Sequence, residues 1–268
     1  MSRKKNRDKT FNENYEKNEN FTTSYFPYCN TNAIVIQSKS RIIKEPYKER
    51  TMRNLEKDAR EMAERRERML SEGFRVFSQT SIEVVPMQEI ATACGLGVAT
   101  VYRYFRTKAD LVIAIGATIW KEYAVKVEDM YRQRDGDAMN AAEELAFFLD
   151  CFIDLYQNHK DVLRFIRNFE TYIRHENVSK EDLGVYNAVV DGFARKFHAV
   201  YQKAEQDGTL KLGLPETEFF PAIMYIMLSA SEKFAEGLVY PPEHEKDMTR
   251  ELELLKNMIL RAYTNNKN

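Results

Sequence analysis

Between Val98 and Lys108 the chain reads Val-Ala-Thr-Val-Tyr-Arg-Tyr-Phe-Arg-Thr-Lys, a stretch with cations and phenols and no acid. Such a set suits a polyanion. Arginine and lysine displace counterions from phosphates, and tyrosine hydroxyls donate to phosphate oxygens without carrying charge. On a helix, Val101 and Phe105 would turn inward. Val98, Ala99, Thr100, Tyr102, Arg103 and Tyr104 would turn outward. Val98, Ala99 and Thr100 are small enough for close approach to base edges, and a methyl can meet the thymine methyl. Arg103 can fork onto a guanine, while Arg106 and Lys108 supply charge for the backbone. An acid in this stretch would repel phosphate.

Competing chemistries find little to work with. The four histidines, His159, His175, His198 and His244, form neither HExxH nor a Glu-x-x-His pair. No Gly-rich phosphate loop and no GxSxG occurs. Cys29, Cys94 and Cys151 are far apart and odd in number, so neither a disulfide framework nor a zinc site is indicated. Cys94 sits on an apolar helix face and reads as core, not as a nucleophile. No catalytic residue, metal ligand or cofactor is therefore expected. A helical enzyme, or a helical small-molecule-binding or interaction protein without DNA binding, remains as the alternative.

The elements that would position this stretch are legible around it. Pro86 is shaped for a first helical turn. Ile90, Ala91 and Cys94 form an apolar stripe, and Gly95 supplies the left-handed residue that ends a helix sharply. Leu96 would plug the gap between two helices, and Gly97 would cap the second, from about Val98 to Phe105. Upstream, Leu55, Ala59, Met62, Met69, Leu70, Phe74 and Phe77 recur at helical steps from about Thr51, giving a long first helix whose 56–68 portion is densely charged. The whole reads as a helix-turn-helix over 86–108.

That string resembles the DNA-binding domain of the tetracycline-repressor (TetR) family of regulators. The resemblance rests on Ile90-Ala91, Cys94-Gly95-Leu96-Gly97, Thr100-Val101-Tyr102, Tyr104-Phe105, Thr107-Lys108 and Leu111, with Met69-Leu70 and Val76-Phe77 upstream. It covers about 65–113. It implies DNA contacts from Gln88 on the supporting helix, from Val98, Ala99 and Thr100, from Tyr102 and Tyr104 at phosphates, and from Lys108 at the start of the next helix. Gly97 stands where the family usually has Ser, Ala99 where it has Gly, and Ser81 where a helix-ending Gly is common, so no operator sequence carries over.

The rest reads as an all-α body. Helices are expected near 108–134, 138–158, 160–176, 182–207, 216–237 and 246–263, broken at Asp135-Gly136, Asn177–Ser179, Gly208, Gly213–Pro215 and Tyr240-Pro241-Pro242. The expected organisation is a basic, mostly disordered tail over 1–50, a DNA-binding domain over 51–108 and a regulatory domain over 109–268. Residues 1–49 carry 10 Lys+Arg against 6 Asp+Glu, residues 50–108 carry 11 against 8, and residues 109–268 carry 19 against 27. Positive charge thus leads and an acidic body follows. Ala33–Ile36 could form a strand, and the change of composition also fits a start at Met52. No apolar stretch reaches membrane-spanning length, so the cytoplasm is the expected compartment.

The resemblance further implies a ligand-responsive homodimer, commonly a repressor released by its effector, on a palindromic duplex operator. The stripes Val185, Val189, Phe193, Phe197, Val200 and Phe219, Ile223, Ile226, Met227, Ala230 mark helices 182–207 and 216–237 as the dimer pair. An effector pocket for a small hydrophobic or aromatic molecule would draw on Trp120, Tyr123, Phe148, Phe152, Phe165, Phe169 and Tyr172, with Arg164, Arg167, Glu170 and His175 as polar handles. Each of these also fits plain core or solvated surface.

Overall fold

The computed structural model describes residues 46–237 and 247–265, with side chains from Leu55 onward. The expected tail over 1–50 lies outside these residues up to 45, as do Ala33–Ile36 and the break at Tyr240-Pro241-Pro242; over 46–50 the chain is already helical, so the first helix starts at Pro46 and not near Thr51. The described chain is helical: α1 (Pro46–Phe77), α2 (Met87–Ala93), α3 (Val98–Tyr104), α4 (Lys108–Gln133), α5 (Ala141–Asn158), α6 (Lys160–His175), α7 (Gly184–Asp207), α8 (Glu216–Glu236) and α9 (Thr249–Tyr263). No strand occurs among the described residues. An isolated bridge between Leu210 and Thr264 ties the α7–α8 linker to the end of α9.

Most boundaries fall within three residues of the expected ones, and their causes are local. Asn140 opens α5 with a capping box, its side chain accepting from Glu143 N while the Glu143 carboxylate accepts from Asn140 N. Gly208 ends α7 at φ 64°. At the α4–α5 break the left-handed residue is Asp135, at φ 52°, not Gly136. Gly136 lies under the Tyr131 ring, where a Cβ would collide. Pro221 does not break α8, which runs on to Glu236 with Pro221 on its exposed side.

Buried side chains gather in two cores. One is built on α5, apolar over most of its circumference, with the second half of α4 and inward faces of α7, α8 and α9: Tyr123, Phe148, Phe197, Phe219, Met227 and Leu252 are representative. The other joins α1 from Met69 onward, α2, α3 and the first half of α4. Phe165, Phe169 and Tyr172 of α6 belong to this second core. α6 is thus a wall of the helix-turn-helix as well as part of the body. The α1 segment Leu55–Arg68 buries no side chain and is laced by pairs such as Arg60–Glu64 at 2.9 Å.

Candidate nucleic-acid interface

α2 is short because its sequence ends it. Met87, Ile90 and Ala91 face the core, and Gln88, Glu89 and Thr92 face solvent. Gly95 takes φ 67°, and the Leu96 amide reaches back to the Ala91 carbonyl at 2.8 Å, closing the helix end. Leu96 is half-buried against the core. Gly97 caps α3 in extended conformation without a side-chain bond, as expected of Gly in place of Ser. Val101 is fully buried and Phe105 nearly so, with the Arg66 guanidinium 5.3 Å from the Phe105 ring centre. These contacts fix how α3 is presented.

The outward set divides. Ala99, Tyr102 and Arg103 are exposed, Tyr102 at 47%. Thr100 is half-buried, and Val98 and Tyr104 are half-buried with part of each ring or methyl surface on the core edge. Arg103 lies 6.0 Å from the Tyr104 ring centre and has no acid partner among the described residues. Arg106 pairs with Asp110 at 3.3 Å in the first turn of α4. Gln88 stands exposed on α2.

Lys108 corrects the simplest expectation for it. Its ammonium donates to the carbonyls of Ile82, Glu83 and Val85 at 2.8, 3.1 and 3.1 Å. All three protons are used on the turn before α2, and the Tyr172 ring centre lies 5.3 Å away. Desolvation holds its pKa below the ordinary lysine value, with Glu176 and Glu83 opposing. What Lys108 offers outward is its backbone N–H in the first turn of α4, where helix amides lack internal partners. Nearby, Asn168 of α6 donates to the Phe77 carbonyl at 2.8 Å and the Thr80 carbonyl at 3.4 Å. It satisfies the exposed end of α1, a role that no local pattern announces.

The seven aromatic pocket candidates do not line one space. Tyr123, Phe148 and Phe152 belong to the α5 core with Trp120 packed at its edge, whereas Phe165, Phe169 and Tyr172 belong to the helix-turn-helix core. They fill space with one another and their neighbours, as Phe148 does with Phe197 at 4.9 Å. Two surface clefts, one of about 380 Å³ beside Gln79 and Glu89 and one of about 410 Å³ beside Arg134 and Lys256, include none of the seven. Of the polar handles, Arg164 donates to the Ala235 carbonyl at 2.9 Å, Arg167 pairs with Glu236, and His175 is exposed. The α7 stripe proposed for dimerisation also packs within the chain. Phe197 stacks on Phe220 at 5.2 Å, Phe193 meets Trp120 at 5.7 Å, and Val200 is buried.

Cys94 is a buried thiol whose pKa is raised by desolvation, against Arg68, and it takes no part in the exposed face. Among the described residues no cluster of three or more His, Cys, Asp and Glu could hold a metal ion. None of the described helices is long and apolar enough to cross a membrane.

Two short helices joined through a left-handed glycine, the second with an acid-free outer face, define a helix-turn-helix regulator that binds DNA. Residues 69–115 match the family model described as bacterial regulatory proteins, tetR family. Over those residues the chain carries a helix-turn-helix of the tetR type, and it is a DNA-binding transcription regulator. Solved structures share its fold. A protein from Saccharomonospora viridis in complex with choline has TM-score 0.59 at 15% identity, over 76% of this chain and 100% of that one. The regulator FadR from Bacillus subtilis in complex with stearoyl-CoA gives 0.53 at 15%, over 72% and 96%. The ketosteroid regulator KstR2 of Mycobacterium tuberculosis gives 0.53 at 12%, over 75% and 96%. No curated protein matched by sequence.

Proposed function

We propose that the protein is a repressor that holds a palindromic operator as a homodimer and is released when a small molecule enters its body. In this reading 51–108 is the DNA-binding domain and 109–268 the regulatory domain. The observation that carries it is the outer face of α3: Ala99, Tyr102 and Arg103 exposed, Thr100 beside them, no acid from Val98 to Lys108, and a core behind that fixes the helix. Val98, Ala99 and Thr100 would meet base edges. Tyr102 and Tyr104 would meet phosphates, Arg103 a phosphate or a guanine, Gln88 the backbone from α2, and Lys108 a phosphate through its amide.

A dimer follows from reach. One α3 reads few base pairs, and two set about 34–36 Å apart read successive major grooves of a palindrome. The face best suited to the second copy is not the α7 stripe. α8 leaves Tyr225 at 68% and Ile226 at 50% exposed, and α9 leaves Leu254 at 55% and Met258 at 66%. The two helices touch, so pairing them with their copies would make a four-helix interface and cover large apolar side chains otherwise left in water. Small-molecule control is supported by the stearoyl-CoA and choline bound to proteins of this fold.

The test is DNA binding by gel shift on fragments taken from genomic occupancy. Tyr102→Ala should weaken binding to every sequence by roughly tenfold or more, the loss of a phosphate contact of about 1.5 kcal/mol. Thr100→Ala should alter which fragments are preferred while leaving overall affinity nearer the parent. Two variants that bind like the parent would place the interface elsewhere.

A further inference from the structure

From Lys57 to Arg75, α1 carries six cations, and five of them have an acid three or four residues away. Lys57 and Arg65 meet Glu61, Arg60 meets Glu64 at 2.9 Å, and Arg75 meets Glu72 at 2.8 Å. Arg66 is the exception. Its neighbours on the helix face, three and four residues away, are Met62, Ala63, Met69 and Leu70. It takes part in no ion pair and no hydrogen bond among the described residues. A guanidinium carries five N–H donors, and on this exposed side chain all five are left to solvent.

Arg66 is nonetheless held in place. Its guanidinium lies over the Phe105 ring, 5.3 Å from the centre, and that ring is 4% exposed. Met69 and Leu70, one turn on, are buried in the helix-turn-helix core, so this part of α1 is fixed against α3. Phe105 ends α3. At the same end the Arg103 guanidinium lies 6.0 Å from the Tyr104 ring centre and also lacks an acid. Two guanidiniums from different helices therefore stand at the C-terminal end of α3, each beside a ring. An exposed cation–π contact contributes little by itself, so an apolar side chain would cover Phe105 as well. A planar guanidinium, however, can stack with its face and still donate with its edge.

We propose that Arg66 is a phosphate contact of the DNA complex, gripping the backbone at the rim of the groove that α3 enters, beside Arg103. A recognition helix puts its N-terminal residues on the base edges, and its C-terminal end comes out against the backbone. The phosphate there takes paired N–H bonds from the Arg66 edge while the face stays on Phe105. α1 then holds DNA as well as the core of the reader. The contact carries no base preference; it sets affinity and the register of α3, not which bases are chosen. This rests on the reading of α3 as the helix in the groove. A role confined to the protein, covering Phe105 or facing the carbonyl end of α3, would use the same position but release no counterion on binding.

The full chain would be titrated onto a fluorescein-labelled duplex of random sequence, about 40 base pairs long, over a series of salt concentrations, since phosphate contacts act on any sequence. Arg66→Met keeps the reach of the side chain over Phe105 and removes the charge and the donors. It should weaken binding roughly tenfold or more and lower the slope of log K against log salt by about 0.9 per protomer. Arg66→Lys should keep the slope and lose part of the affinity, because an ammonium lacks the planar fork. Arg60→Met, which removes a cation already paired with Glu64, should match the parent. A parental slope in Arg66→Met, or an equal loss of slope in Arg60→Met, would overturn the proposal. If Arg66→Met fails to fold by circular dichroism, Arg66→Gln takes its place with the same outcomes. Tyr102→Ala on the same duplex separates the two readings. If it weakens binding while Arg66→Met binds like the parent, only the role of Arg66 fails; if neither weakens it, α3 is not the helix in the groove.

Discussion

Replacing Lys108 by Met separates two roles that one residue could play at a protein–DNA boundary. If the ammonium is a staple, the variant strips three donors from the carbonyls of Ile82, Glu83 and Val85. A bond from a charged donor contributes roughly 1.5–3 kcal/mol net, but these carbonyls lie near the surface and water can replace part of the loss. Lys108 is itself only half-buried, so the expected cost is about 2–4 kcal/mol in all. For a chain of this size each kcal/mol lowers the melting temperature by about 2–4 °C, which puts the fall near 4–16 °C. The two measurements are thermal unfolding and the dependence of DNA affinity on salt. A staple leaves the slope of log K against log salt unchanged for the protein that remains folded. A phosphate contact would lower the slope by about 0.9 per protomer on any duplex, because one counterion fewer is released. A variant that melts with the parent but loses that slope would refute the geometry argued for Lys108 and return it to the phosphate-contact list.

Three further outcomes are expected. Burial, and then the charge of Glu170, push the Glu232 carboxyl up to about 7, with Arg167 and Arg174 opposing. The folded state therefore holds a proton that the unfolded state gives up, so stability falls as pH rises from about 4.5 to 7, by about 1–2 kcal/mol once solvent screening of a partly exposed group is allowed for, and stays low above. Glu232→Gln should flatten that fall in pH-dependent melts, gaining on the parent at pH 8 and not at pH 5. Gly95→Ala meets no atom within 4 Å but must hold φ 67°, so it should cost about 1–2 kcal/mol in urea unfolding with DNA affinity nearly kept at low temperature. Ile226→Arg should convert the dimer to monomer by sedimentation velocity while leaving the monomer folded, since the side chain is half exposed within one chain; a dimer that survives would move the interface off α8.

What the sequence could disclose was whatever its own neighbours determine. The helix-turn-helix was legible because Gly95, Leu96, Val101 and Phe105 act within twenty residues of one another, and helix ends at Asn140 and Gly208 are set by the capping residue itself. Lys108 was misjudged because the carbonyls it satisfies lie 23 to 26 residues back. A lysine near a recognition helix looks the same in sequence whether its charge faces a phosphate or a turn. The α7 stripe raises the same difficulty. Phe193, Phe197 and Val200 are apolar at helical spacing whether they meet a partner or the chain's own Trp120, Phe148 and Phe220. The exposed faces at Tyr225 and Met258 carried less apolar weight and so drew less notice. Composition also could not split the aromatic residues between two cores, because the split depends on which side of α6 each one occupies.

That last point bears on how binding in the body could reach DNA. α4 is the covalent link, and Leu111 at its start is buried in the helix-turn-helix core. α6 makes a second link without covalent continuity. One of its faces supplies Phe165, Phe169 and Tyr172 to that core, and Asn168 beside them caps α1. Its other face carries Arg164, Arg167 and Glu170 along α8. Phe169 and Glu170 are adjacent residues, so a change on the α8 side of α6 acts one residue away from a side chain of the DNA-binding core. A packed interior does not absorb such a change locally, since its side chains interlock at crystal-like density. A shift of α6 along α8 would pull on the α1 end at Phe77 and Thr80 and on Lys108 through the Tyr172 ring. Both contacts sit directly behind α2. The separation of two α3 helices on a palindrome would then respond to α6 as well as to α4, which places coupling at the contact of α6 with α8 rather than in the aromatic core.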